Sequence, residues 1–187
     1  MRTKYASPQI FLHWLVFFLV VGTYASMLLK GWVPKGTPGR EYFNLVHYSL
    51  GFSVLVLMIV RLLVKAMYVT PALKPPVPRW QHLAAHVAHG MIYLMFISLP
   101  VLGVLSMYYS GNHWLLFGMK MPQSVVADVV LQKQLKSLHE LIANTGYYLI
   151  GLHAVAALFH HYVLRDNALV RMMPGKSKRA PDTSSGQ

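Results

Sequence analysis

Four long stretches without a charged residue divide this chain, and polar or proline-rich segments separate them. Between Lys4 and Lys30 lie 25 residues with no Asp, Glu, Lys or Arg, and between Glu41 and Arg61 lie 19. Arg79 and Lys120 bracket 40, enough for one span and a loop, and Glu140 and Arg165 bracket 24. A bilayer core about 30 Å thick takes roughly 20 apolar residues of helix. The pattern therefore predicts an all-α integral membrane four-helix bundle, one domain over residues 1–173, with spans at about 8–29, 42–66, 80–108 and 123–166.

The connections carry their own signals. Pro8 suits a first helical turn, where its missing N–H would have no partner anyway. The Gly- and Pro-rich stretch from Lys30 to Gly39 reads as an outer loop. The run Thr70-Pro71-Ala-Leu-Lys-Pro75-Pro76-Val-Pro78 cannot be helix interior and reads as an extended inner linker. Span three stops at Ser110-Gly111-Asn112, and residues 112–122, with His113 and Trp114, form a second outer loop. From Gln123 onward apolar residues recur at helical spacing, so span four is expected to begin with an amphipathic turn or two outside the membrane. The tail at 174–187 is polar and predicts disorder.

Composition sharpens this picture. The 187 residues are 55% hydrophobic and 12% charged, with a net charge of +12. The basic residues flank spans and form no binding stripe, which argues against nucleic acid as a partner and for membrane lipid. Arg2, Lys4, Arg61, Lys65, Lys74, Arg79, Arg165, Arg171, Lys176, Lys178 and Arg179 gather on one side, against Lys30, Lys35, Arg40, Lys120, Lys133 and Lys136 on the other. The positive-inside rule then places both termini in the cytoplasm. The basic N-terminus followed by an apolar run mimics a signal peptide. That run is too long and holds His13-Trp14, so it reads as a retained anchor. There is no cysteine. Disulfides, iron–sulfur clusters and thiolate-ligated or covalently attached haem are thereby excluded, and any haem must be held by His or Met.

Ten histidines in so apolar a chain are the main chemical signal. Ionisable residues within spans are costly and mark functional sites. His139 and His153 are fourteen residues apart in span four, about 21 Å along a helix and within about 40° of the same face. One helix would thus hold one imidazole near each leaflet, as two stacked haems require. With the termini inside, His47 joins His139 at the outer leaflet and His13 joins His153 at the inner one. On span three, His82, His86 and His89 share a face. His86 or His89 is an alternative to His13 as inner ligand, and depth alone does not decide. A Zn or Cu site from these three lacks a neighbouring carboxylate or thiolate.

Other residues fit the haem reading. Gly51 follows His47 by one turn, and Gly146 lies between His139 and His153. Small residues there let a flat macrocycle approach the backbone, or simply let helices pack. Arg61 is fourteen residues beyond His47, placed to pair with a propionate of the inner haem. The alternative is that it snorkels to the interface. Zinc-protease, phosphate-loop and nucleophile-elbow motifs are absent.

The chain resembles the bacterial di-haem cytochrome b561 family over about residues 4–174. The resemblance is carried by Lys4-Tyr5 and Gln9-Ile10 before His13-Trp14-Leu15, by Leu55-Val56-Leu57-Met58 with Arg61, and by Ser98-Leu99-Pro100 with Gly103. Further carriers are Leu135-Lys-Ser-Leu-His139-Glu140, Gly151-Leu-His153-Ala154, His160-His161-Tyr162 and Leu169-Val-Arg171-Met-Met-Pro174. Within that family it is most similar to the superoxide oxidase type. The resemblance implies two non-covalent b haems, with axial ligands at His13, His47, His139 and His153, and leaves His86 and His89 as non-ligands. It also implies an oxidoreductase of the bacterial inner membrane that takes electrons from superoxide outside and passes them to ubiquinone. The quinone site would lie at the cytoplasmic side, with His160 the first candidate contact and Trp80 and His86 as possible walls. No partner subunit is required. Two other readings are a haem b subunit serving a dehydrogenase or hydrogenase, and a histidine-lined proton or metal transporter.

Overall fold

The computed structural model describes residues 4–175. Arg2, Lys176, Lys178, Arg179 and the tail beyond Gly175, for which disorder was expected, lie outside them. Four helices of membrane length and apolarity make up the bundle: α1 (Ser7–Lys30), α2 (Pro38–Met67), α3 (Arg79–Tyr109) and α4 (Val129–Tyr162). A 3-10 turn covers Val170–Met172.

Local chemistry sets the helix ends. At the start of α1, Gln9 Oε1 accepts the Ala6 N–H at 3.1 Å, satisfying a donor the helix cannot. The start of α2 differs from expectation. Pro38-Gly39 forms its first turn, because Pro is tolerated there and Arg40 Nη1 donates to the carbonyls of Lys30 (3.2 Å) and Val33 (2.8 Å). The start of α4 also differs, at Val129 and not 123, and its end is Tyr162 and not 166. Asp128 caps α4 by accepting the Leu131 N–H at 2.9 Å. Before it, Ser124 and Asp128 donate backbone N–H groups to Tyr108 and Tyr109 of α3 at 2.9 and 3.1 Å. Val125 and Val126, which carry the apolar pattern at 123–128, are exposed loop residues.

The α3–α4 loop holds a short antiparallel ladder, β1 (Leu115–Leu116) with β2 (Met119–Lys120), beside the helical bundle. Its turn uses Phe117 at φ 51 and Gly118 at φ 80. The hairpin docks on α2: Phe117 N–H donates to Ser49 Oγ at 2.9 Å, and buried Trp114 meets Tyr48 edge-on.

Packing is uneven around the bundle. The backbones of α1 and α2, α2 and α3, and α3 and α4 approach closely, with no comparable approach of α4 to α1 or α2 among the described residues. The core cluster is Val16 and Val20 of α1, Val54 and Met58 of α2, and Met95, Phe96 and Leu99 of α3. On α4 only Gly146 is fully buried. A Cβ at Gly146 would lie 2.5 Å from Tyr24 Oη and 3.0 Å from Met95 Sδ. Tyr24 reaches across from α1, donating to the Ala143 carbonyl at 2.9 Å and packing on Tyr147. Long side chains thus bridge α1 to α4 at mid-bundle.

The two ends of the described segment meet at one end of the bundle. Tyr5 N–H donates to Arg171 O at 3.2 Å, and Trp14 Nε1 to Met172 O at 2.9 Å. The α2–α3 linker joins them through Lys74 N–H to Asn167 Oδ1 at 2.9 Å, and through Arg171 Nη1 to the Pro71 carbonyl.

Candidate haem-iron sites

Two pairs of imidazoles face each other between α4 and the α1–α2 pair. His47 and His139 have ring centres 6.2 Å apart with planes at 71°. His13 and His153 are 6.5 Å apart at 64°. Metal–imidazole bonds of about 2 Å on either side of one ion, plus half of each ring, put ring centres about 6 Å apart. Both expected pairs are brought together at that spacing, one toward each end of the bundle.

The pair expected at the outer leaflet, His47 with His139, is oriented by backbone. His47 Nδ1 lies 3.1 Å from Thr23 O and 3.4 Å from Ser26 Oγ. His139 Nδ1 lies 2.8 Å from Leu99 O. An imidazole that donates Nδ1–H to a carbonyl keeps the Nε2 lone pair for a metal. The α3 segment around that carbonyl is specialised. Pro100 lacks the N–H that would bond the Phe96 carbonyl one turn earlier, and Gly103, where a Cβ would lie 3.5 Å from the His139 ring, lets the ring lie close.

At the pair expected at the inner leaflet, His13 with His153, the neighbour is a charge. Arg61 Nη2 stands 3.2 Å from His13 Nδ1, and its guanidinium lies over the Tyr93 ring at 5.7 Å. Arg61 therefore turns into the bundle and does not snorkel. Nδ1 of His13, facing a donor, acts as acceptor there. A carboxylate from a bound group would draw the guanidinium away and release that nitrogen. His89 of α3 also reaches this site, its ring centre 5.4 Å from that of His153. That is closer than two metal bonds would set.

The remaining candidates divide. Gly51 has nothing within 4 Å of where a Cβ would be, whereas Gly146 is filled by Tyr24 and Met95. Gly146 thus admits protein side chains, where a macrocycle was expected. Trp80 is exposed, and exposed His86 uses Nδ1 on the His82 carbonyl at 2.7 Å. Neither makes a hydrogen bond to His160 among the described residues. The three α3 histidines do not converge, and no cluster of three His, Cys, Asp or Glu able to hold a metal ion occurs among the described residues. His160 Nδ1 meets Asp166 Oδ2 at 2.5 Å. Sequence reasoning passed over Asp166, although it is the only acidic residue between Glu140 and Asp182. It also missed Thr23 and Leu99, whose contribution is a carbonyl that every residue carries.

Imidazoles paired at the spacing of two metal bonds, an arginine beside one pair and no thiolate form a donor set that fits bis-histidine b haem. Fold and site together define a membrane-embedded cytochrome of the b type. The sequence profile of the prokaryotic cytochrome b561 family matches residues 4–175. The chain is 44% identical to cytochrome b561 homolog 1 of Escherichia coli K12 over 171 residues, 91% of this chain and 97% of that one. It is 45% identical to the probable superoxide oxidase CybB of Yersinia pestis over 177 residues, 94% of this chain and 99% of that one. Cytochrome b562 of Cereibacter sphaeroides is 29% identical over 173 residues, 90% of this chain and 94% of that one. The chain belongs to the prokaryotic cytochrome b561 family. It is a multi-pass bacterial membrane haem protein of electron transfer.

Proposed function

We propose that this protein is a superoxide:ubiquinone oxidoreductase of the bacterial inner membrane, holding two b haems between His47 and His139 and between His13 and His153. The single observation that carries this reading is the pair of imidazole couples, each at the spacing two metal bonds set. Bound haem supplies one-electron exchange between ferric and ferrous iron. The chain supplies ligation, orientation and charge. Two superoxide anions are oxidised to dioxygen outside, and one ubiquinone takes up the two electrons and two protons at the cytoplasmic side. Arg61 pairs with a propionate of the inner haem. His160 contacts the quinone. The end of the bundle that joins residues 4–6, 70–78 and 163–175 faces the cytoplasm, in keeping with its basic flanks. The name of the Yersinia pestis relative and the outer lysines support superoxide as donor.

The test is direct. Acid acetone should release two haems per chain from the purified protein, since no thioether can form. The protein alone, with no partner subunit, should be reduced by superoxide and reoxidised by a short-chain ubiquinone. One haem per chain would overturn the di-haem assignment. A requirement for a partner would favour the electron-transfer subunit reading.

A further inference from the structure

His160 sits in the last turn of α4, and its side chain is 24% exposed, while that of Asp166 is 1% exposed. After Tyr162 the chain reverses at Arg165, whose φ of 54 is left-handed, a conformation a non-glycine residue adopts only under constraint. The reversal returns Asp166 beneath His160. Asp166 N–H donates to the His160 carbonyl at 3.0 Å, and Asp166 Oδ2 meets His160 Nδ1 at 2.5 Å. Its second oxygen, Oδ1, accepts the Ala168 N–H at 2.8 Å. No lysine or arginine pairs with Asp166 among the described residues. A buried carboxylate must be hydrogen-bonded or paired, and here the side chain that answers it is the His160 imidazole.

We infer that Asp166 is the positioning residue of the quinone site, holding His160 with Nδ1–H on the carboxylate so that protons enter and leave only through Nε2. This rests on the reading of His160 as the quinone contact. A histidine with Nδ1–H fixed on a buried carboxylate has one tautomer and one orientation. Nε2 takes a proton from cytoplasmic water, making the imidazolium. It then passes that proton to the quinone oxygen it faces, while Nδ1–H stays on Asp166. The second quinone oxygen takes its proton from water, and the two electrons come from the superoxide oxidised outside. Without the carboxylate the ring is free to turn and to carry its proton on either nitrogen.

The experiment compares Asp166→Asn, Asp166→Glu and His160→Gln in purified, haem-loaded protein. Nitrogen NMR of histidine-labelled protein reads the His160 tautomer, its signal assigned by loss in His160→Gln. Asp166→Asn should keep both haem spectra and reduction by superoxide. It should shift His160 from the Nδ1–H form toward a mixture, and lower kcat for quinone reduction about ten- to hundredfold with little change in KM. Asp166→Glu should recover part of kcat. An unchanged tautomer and kcat in Asp166→Asn, beside a slow His160→Gln, would overturn the role of Asp166 and leave His160 as the contact. Unchanged quinone reduction in His160→Gln would overturn the reading beneath it, and this inference with it. Loss of haem in both Asp166 variants would make Asp166 a structural cap and overturn the inference.

Discussion

The two imidazole pairs look alike in spacing and differ in what holds them. At the outer pair, His47 and His139 each place Nδ1 on a main-chain carbonyl, of Thr23 and Leu99. Carbonyls of packed helices have nowhere to go, so these rings are aimed by the bundle itself. At the inner pair, His13 answers to the Arg61 side chain, and His153 has His89 as a second imidazole neighbour. A guanidinium on a flexible stem has a choice of partner. The outer site is therefore rigid by construction, while the inner site is arranged by charges that respond to what binds there. In the proposed function this difference suits an outer site that meets a small diffusing donor and an inner site that serves a larger, proton-coupled acceptor.

The strongest way to break the comparison is to remove ligands one at a time. His47→Ala or His139→Ala should abolish the outer haem and spare the inner. His13→Ala or His153→Ala should do the reverse, and His89→Ala should keep both. Haem content per chain and the low-temperature spectrum of the reduced protein read this out. If His13→Ala keeps two haems and His89→Ala loses one, α3 supplies the inner ligand and the 5.4 Å contact of His89 with His153 is the pair that matters.

A subtler change tests whether the inner site depends on charge. Arg61→Gln retains a hydrogen-bond donor and removes the cation. A charge-assisted hydrogen bond contributes about 1.5–3 kcal/mol, so the inner haem should bind more weakly, about tenfold or more. Its potential should fall by tens of millivolts, with about 59 mV corresponding to a tenfold change for one electron. The outer haem should keep its potential. Equal shifts in both would mean that Arg61 acts on the bundle as a whole.

Much of this arrangement was legible along the chain. Charge-free runs located the four helices, because a bilayer admits little else. The fourteen-residue interval from His139 to His153 placed two imidazoles on one face, because helical geometry is periodic. What stayed hidden depends on the third dimension. Val125 and Val126 continue the apolar rhythm of α4, yet the Asp128 cap and the bonds back to α3 exclude them from it. Gly146 has the spacing of a ligand-face residue, yet Tyr24, 122 positions earlier, fills the space beside it. Asp166 carries no motif, and only the reversal at Arg165 brings it under His160. Hairpin β1–β2 was signalled only by Phe117-Gly118, too short a cue to read within a polar loop.

The smallest expected effect sharpens the comparison through the field outside each site. Lys30, Lys35, Arg40, Lys120, Lys133 and Lys136 lie toward the end proposed to face outward, against Glu41, Asp128 and Glu140. Arg40 is engaged with two loop carbonyls, and Lys136 pairs with Glu140 at 3.7 Å with both side chains largely exposed. Lys30, Lys35, Lys120 and Lys133 make no side-chain hydrogen bond or ion pair among the described residues, and all but the half-buried Lys30 are exposed. Such a field speeds encounter with an anion and weakens as the Debye length shrinks to about 10 Å at 0.1 M salt and about 3 Å at 1 M. Reduction by superoxide should therefore slow a few-fold from 0.01 M to 0.5 M salt. Lys120→Gln combined with Lys133→Gln should flatten that dependence. Oxidation by neutral quinone at the other end should be insensitive to salt in the same preparations. A slow, salt-independent reaction with superoxide would assign these lysines to lipid headgroups and point to a different outer donor.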